Sequence, residues 1–292
     1  MKQIEQKWIY LSILSLIWGS SFILIKKSLL GFTPMQVGGL RIVFASLLLF
    51  ILGFKSLKTL SKTDWKWITL AGLCSSFIPP FFFALGQTQI SSGITSILNS
   101  IVPLFTTIVG MVLFGLALKR RQVLGVFIGL LGTVLLITAG MDHNPNQNYW
   151  YSFFIIFSAL SYSFNINIIK KHLAHLTPLA VTTASFGVAF FPALVILLYS
   201  GVFSQFKGDI AMHESVWYLL ALALLGTALA NILFNKLIQL SSPVFAASVT
   251  YLIPLVAILW GLLDGEHISL VQLFGGLIIL FGVWLVNRKK KE

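Results

Sequence analysis

Two stretches decide the architecture: KKSLLGFTP at Lys26–Pro34 and KKHLAHLTP at Lys170–Pro178. The same lysine pair, the same spacing and the same Thr-Pro ending recur, each time between apolar runs. Further along, Pro103 inside one apolar run answers Pro254 inside another. Gly115, Gln122, Gly125 and Gly132 likewise answer Gly265, Gln272, Gly275 and Gly282. A chain that spells one pattern twice implies two equivalent halves, residues 1–143 and 144–292.

The medium in which those halves fold follows from composition. Hydrophobic residues make up 57% of the chain and charged residues 10%, with a mean hydropathy of +0.93. A soluble domain carries roughly 25% charged residues. The apolar runs are each about 20 residues long, the length a helix needs to cross a bilayer. The short alternating segments of a membrane β-barrel are absent. The fold class is therefore an all-α polytopic membrane protein. Ten spans are predicted near residues 8–26, 34–54, 65–86, 92–116, 122–140, 149–169, 178–200, 215–237, 243–263 and 268–286. Pro34, Pro178 and Pro243 fall at helix starts, where a missing N–H costs little. Met1–Lys7 is short and polar and no small-residue cleavage site follows, which reads as an uncleaved first span. Cys74 is the lone cysteine, so no intramolecular disulfide exists.

The net charge of +12 suggests nucleic acid until the positions are read. The basic residues cluster in short segments between spans, as cytoplasmic loops do. With the N-terminus cytoplasmic, the inside segments hold Lys2 and Lys7, Lys55 to Lys66, Lys119 to Arg121, Lys170 and Lys171, Lys236 and Arg288 to Lys291. Only Lys26, Lys27 and Lys207 fall outside, and Arg41 lies within a span. Both termini are expected in the cytoplasm, and the partners are the lipid bilayer and a small solute rather than nucleic acid. Five spans per half is odd, so the second half enters the membrane upside down. Inverted repeats of this kind supply the symmetry for alternating access.

Ile17-Trp18-Gly19-Ser20-Ser21-Phe22 in span one, Arg41-Ile42-Val43-Phe44-Ala45 in span two, Gly226-Thr227-Ala228-Leu229-Ala230 in span eight and Gly265-Glu266-His267-Ile268-Ser269 before span ten form an ordered set. Together they resemble the EamA-type branch of the drug/metabolite transporter superfamily over essentially the whole chain. That resemblance implies ten helices around a central cavity and the export or import of small metabolites. One departure stands out: the family usually carries glutamate in both halves, but Glu266 is answered by Leu116.

All acidic residues and histidines fall in predicted loops, interfaces or termini, so a buried carboxylate relay for protons or sodium is not favoured. His172-x-x-His175 has half the spacing of a metal site and no nearby carboxylate or cysteine; no metal and no cofactor is expected. Neither a His-Glu-x-x-His helix nor a pair of buried aspartates is present, which argues against an intramembrane protease.

Arg41 lies about seven residues into span two, roughly 10 Å deep. It reads either as a bidentate clamp for an anionic group or as a structural arginine bonded to carbonyls or snorkelling outward. Pro103 and Pro254 each remove a helix hydrogen bond in mid-span and are candidate hinges or gates. Around them Ser96, Asn99, Thr106 and Gly110, and Ala247, Thr250, Ala257 and Gly261, share one face. They read as cavity lining or as close packing. Trp18 aligns with Tyr162 and Ser21 with Asn165, and Asn231 is a further polar residue in mid-span. The expected substrate-binding set is Trp18, Ser21, Arg41, Ser96, Asn99, Tyr162, Asn165, Asn231 and Thr250. Glycines of spans five and ten suggest close helix packing, within a monomer or across a homodimer.

The expected activity is transport of small neutral or zwitterionic metabolites, such as amino acids with apolar side chains, across a bacterial inner membrane. A nucleotide-sugar or phosphorylated-metabolite carrier is the alternative within the class, and a channel or lipid scramblase outside it.

Overall fold

The computed structural model describes residues 3–115, 120–143, 147–205 and 210–287. Lys2, Leu116, Lys119, Lys207, Asp209 and the basic residues after Asn287 lie outside the described residues, and with them the comparison of Leu116 with Glu266. Among the described residues nine helical runs are long and apolar enough to cross a membrane, and a tenth, Leu270–Leu285, is shorter. Numbered in order, span one is Gln3–Ser28, span two Pro34–Gly53, span three Lys62–Gln87, span four Ser92–Phe114 and span five Arg120–His143. Span six is Tyr149–His172, span seven Pro178–Tyr199, span eight Met212–Leu240, span nine Pro243–Leu263 and span ten Leu270–Asn287.

The duplicated Thr-Pro motifs are helix starts. Thr33 and Thr177 are N-caps whose hydroxyls accept from the N–H of Gln36 and Ala180, and proline follows where its missing N–H leaves nothing unmade. Thr33 and Gln36 complete a reciprocal capping box. The lysine pairs occupy the last turns of spans one and six, where the carbonyl end of the helix dipole favours positive charge.

Pro103 and Pro254 lie in mid-span, and at each the interruption is a break between helical segments rather than a bend. Span four is two half-helices, Ser92–Asn99 and Val102–Phe114, and Pro103 stands in the first turn of the second. Span nine runs Pro243–Ala247, a 3-10 turn at Ser248–Tyr251, then Ile253–Leu263, with Pro254 again in the first turn. A proline cannot donate to the carbonyl four residues back. The chain therefore breaks just before each one, orphaning the carbonyls of Asn99 and Thr250. The Thr250 carbonyl accepts from Ser100 Oγ at 2.9 Å, so a side chain of span four mends the break in span nine.

Spans three and eight share another irregularity, a π-helical turn, at Leu73–Phe77, just before the Pro79-Pro80 pair that reads as a distortion in the sequence, and at Leu224–Leu229. In span three Pro79 and Pro80 follow at once and withhold two N–H groups. In span eight no proline follows, and Gly226 and Thr227 lie at the centre of the turn.

The halves are inverted, and equivalent spans meet antiparallel. In spans two and seven Leu197 packs on Gly39, Phe186 O accepts from Ser46 and Thr183 packs on Gly53, so one number rises as the other falls. In spans four and nine Ile258 lies near Gly93 while Thr250 meets Ser100. In spans five and ten Gly132 meets Ile279, Leu136 meets Gly275 and Gly129 meets Gly282. The glycine faces of spans five and ten are thus spent on one another within one chain.

Candidate functional site

Where spans one to four meet spans six to nine, the bundle holds a cavity with about 810 Å³ of empty space, open mouth included. Its wall inherits the symmetry of the fold. Trp18 faces it with Tyr162, Ser21 with Asn165, Phe22 with Ile166, Phe83 with Phe234, Asn99 with Thr250 and Val102 with Ile253. Each pair occupies equivalent positions in the two halves, and most of the wall is aromatic or aliphatic. Trp18 meets Phe234 edge-on at 4.8 Å and Phe22 meets Phe83 at 5.7 Å.

Of the residues expected to bind substrate, Trp18, Ser21, Arg41, Asn99, Tyr162, Asn165, Asn231 and Thr250 line this one cavity. Ser96 does not; it is fully buried and its hydroxyl donates to Gly93 O at 2.6 Å. Pro103 and Pro254 are also absent from the wall, where their neighbours Val102 and Ile253 stand instead.

Arg41 breaks the symmetry. Its counterpart in span seven, Ser185, carries no charge and packs its backbone on Gly72 of span three. Arg41 is 7% exposed and donates from Nε to Thr227 Oγ1 at 2.6 Å. No carbonyl or carboxylate of the protein receives the rest of the guanidinium among the described residues, so neither structural role anticipated for it, carbonyl bonding or snorkelling, is what the geometry displays.

Thr227, a mid-span polar residue outside the expected binding set, is the side-chain partner of Arg41. In its π turn the hydroxyl donates to Leu222 O at 2.8 Å, five residues back, and so keeps a lone pair toward Arg41. The same turn receives Trp18 Nε1 on Gly226 O at 3.0 Å and Asn231 Nδ2 on Thr227 O at 2.8 Å. Gly226 is needed there, because a Cβ would come within 2.5 Å of Ser21 Oγ. One irregular turn therefore orients Arg41, Trp18 and Asn231 together, as π turns at functional sites do. The small residues Gly226 and Thr227 were its only signal in the sequence.

The same cavity wall offers acceptors. Asn99 and Asn165 are 6% and 3% exposed, and the Oδ1 atoms of both are buried without a hydrogen-bond donor. A buried acceptor left unmade costs about 1–3 kcal/mol. The chain thus lines one mostly apolar chamber with both donors and acceptors, and among the described residues no Asp, Glu, Lys or His lines it.

At the Lys26 end of the bundle the two halves are joined by charge. Glu266 accepts from Lys26 Nζ at 2.9 Å and from the N–H groups of Ser92 and Gly93 at 2.9 and 3.0 Å. Asp264 pairs with Lys26 at 2.7 Å and with Lys27. Burial pushes the Glu266 pKa up, but the Gly93 N–H, Lys26 and Ser92 outweigh it and the net direction is down. Burial likewise raises Asp264, and Lys26 and Lys27 more than reverse it. Gly261 lets the Glu266 carboxylate lie against span nine, since a Cβ there would reach 2.5 Å from Oε2.

The contacts at the Lys170 end are of another kind. Lys170 Nζ caps the carbonyls of Ile238, Gln239 and Ser241 within its own half. Lys171 lies over the Phe114 ring at 5.2 Å, and His172 stacks on Trp67 at 3.6 Å. His175 pairs with Asp64 at 3.1 Å. Among the described residues no group of three His, Cys, Asp or Glu side chains is assembled to hold a metal.

The model of the EamA-like transporter family matches this chain twice, over residues 6–138 and 149–288. The chain is 28% identical to the uncharacterized inner membrane transporter YedA of Escherichia coli (strain K12), over 95% of this chain and 89% of that one. It is 26% identical to a probable amino-acid metabolite efflux pump of Salmonella typhimurium, over 92% and 90% of the two chains. A solved crystal structure shares the fold with a TM-score of 0.66 at 15% identity, covering 96% of this chain and 95% of that one.

Proposed function

Because the chain belongs to the EamA-like transporter family, we propose that it carries small zwitterionic or neutral metabolites with an apolar body through the central cavity by alternating access. The observation that carries this reading is Arg41, a guanidinium bonded only to Thr227 among the described residues, lining the same aromatic chamber as the unpartnered acceptors of Asn99 and Asn165. An α-amino acid with an apolar side chain has the complementary parts. Its carboxylate suits Arg41, its ammonium suits the two amide oxygens and its side chain suits the aromatic wall.

A phosphorylated or nucleotide-linked solute brings two or more negative charges to a wall with one cation. Carboxylate-coupled proton or sodium transport has no acid in the wall to use. Exchange or facilitated movement fits that wall better, and the efflux pump among the relatives favours the outward direction. The basic segments favour cytoplasmic termini in a bacterial inner membrane. The ion-paired Lys26 end then faces outward.

Counterflow in proteoliposomes tests the reading. Radiolabelled leucine or phenylalanine should accumulate saturably against the same unlabelled solute inside, while a nucleotide sugar should not. Non-saturable flux would make it a channel, and movement of labelled lipid between leaflets a scramblase. A reporter active only outside the cytoplasm, fused after Glu292, should stay silent.

A further inference from the structure

On the outer surface of the bundle, beside the ion pairs of the Lys26 end, spans one, eight and nine leave a groove of about 650 Å³ including its mouth. Leu24 and Leu263 form its apolar sides, and Lys27 and Asp264 stand together at its rim. Ser20 lies at the far end, where its hydroxyl accepts from Trp260 Nε1 at 3.0 Å and ties spans one and nine together. Leu263 is 80% exposed, an exposure that in a bilayer means contact with lipid. From Ser20 to Lys27 the helix rises about 10 Å. The charged rim therefore sits at headgroup level while the groove runs into hydrocarbon.

We propose that this groove binds one phospholipid with an ethanolamine headgroup: its phosphate on Lys27, its ammonium on Asp264 and an acyl chain between Leu24 and Leu263. Charge selects this occupant. Lys26 and Lys27 are balanced by Asp264 and Glu266, so the cluster has no net field to draw an anionic lipid. Glu266 is turned inward onto Lys26, Ser92 and Gly93. The rim therefore displays one cation and one anion side by side, as a zwitterionic headgroup requires. An ammonium has three N–H donors for the Asp264 carboxylate, whereas a choline headgroup has none. Lys27 likewise keeps donors beyond the one it spends on Asp264.

Native mass spectrometry of the full chain tests this, with equimolar phosphatidylethanolamine, phosphatidylcholine and phosphatidylglycerol added to the detergent-purified protein. One phosphatidylethanolamine should be retained at least about fivefold over either competitor. Leu24→Trp, which fills the groove, should abolish its retention. Asp264→Asn should keep one bound lipid and lose the preference for ethanolamine over choline; it decides alone if Leu24→Trp fails to fold. Equal retention of all three lipids, a preference for phosphatidylglycerol, a dimer that excludes lipid from the groove, or an unchanged preference in Asp264→Asn would each overturn the proposal.

Discussion

Arg41 Nε lies 2.6 Å from the Thr227 hydroxyl, and that hydroxyl is itself held by the Leu222 carbonyl five residues earlier. The contact joins span two of the first half to the π turn of the second. With Nε spent on Thr227, the two terminal nitrogens of the guanidinium form the edge left for a ligand. In the proposed function Thr227 is a positioning residue that acts on substrate through Arg41.

Thr227→Val keeps the shape of the side chain and removes the acceptor. A hydrogen bond to a charged group contributes about 1.5–3 kcal/mol. The KM for counterflow should rise roughly tenfold or more, and Thr227→Ser should restore it. Equal loss of stability and transport in both variants, read by thermal denaturation and counterflow, would mark Thr227 as structural only.

Arg41→Lys keeps the charge and loses the fork. An ammonium cannot hold Thr227 from one nitrogen and present two others in one plane. Binding of an amino acid by isothermal calorimetry should weaken about tenfold in Arg41→Lys and further in Arg41→Met. Decarboxylated analogues, lacking the anionic group, should bind all three proteins alike. Unchanged affinity in Arg41→Lys would remove the clamp from the site.

Glu266 joins three parts of the chain at the Lys26 end, and its loss should be felt as stability. Glu266→Gln replaces one acceptor oxygen with an N–H₂ that faces the N–H of Ser92 or Gly93. Lys26 is about a third exposed, so solvent screens part of its pairing with Glu266. A cost of about 1–3 kcal/mol is expected, visible as a lowered Tm. The pH dependence follows from the lowered pKa values of Glu266 and Asp264. Carboxylates held lower in the folded chain than in the unfolded one contribute stability that is fully present above the unfolded value, near pH 4, and is lost as pH falls through the folded value. Tm of the wild type should fall more steeply below about pH 4 than that of an Asp264→Asn, Glu266→Gln double variant.

Much of this architecture was legible because repetition and hydropathy are properties of residues in order. The Thr-Pro motifs announced helix starts, and the lysine pairs announced helix ends. The pairing of Trp18 with Tyr162 and of Ser21 with Asn165 could be read from alignment of the halves. The π turn at Leu224–Leu229 could not, since its one glycine, Gly226, is a signal shared with ordinary packed helices. Tertiary contacts hold it: Trp18 bonds to the Gly226 carbonyl and Arg41 to the Thr227 hydroxyl, while Asn231 of the same span bonds to the Thr227 carbonyl. Ser96 was misjudged for a related reason. It shares a helix face with Asn99, but a short hydroxyl one turn from the break satisfies itself on Gly93 O, whereas the longer amide reaches the cavity.

The breaks before Pro103 and Pro254 allow a sharper test. Pro254 deprives the Thr250 carbonyl of its helix donor, and Ser100 Oγ supplies one from the other half at 2.9 Å. Ser100→Ala leaves that buried carbonyl unmade, at a cost of about 1–2 kcal/mol. Pro254→Ala offers the missing N–H within span nine itself. The two changes should therefore be strongly non-additive. Ser100→Ala should destabilise the wild type but cost little in the Pro254→Ala background, a coupling of about 1 kcal/mol or more in a double-mutant cycle. Additive costs, measured by denaturation in one detergent, would mean that the Ser100 contact does not compensate for the proline. With the coupling present, the cross-half bond must be broken or exchanged whenever spans four and nine separate. Pro254→Ala, which frees span nine from its dependence on span four, should then change the turnover of counterflow more than its KM.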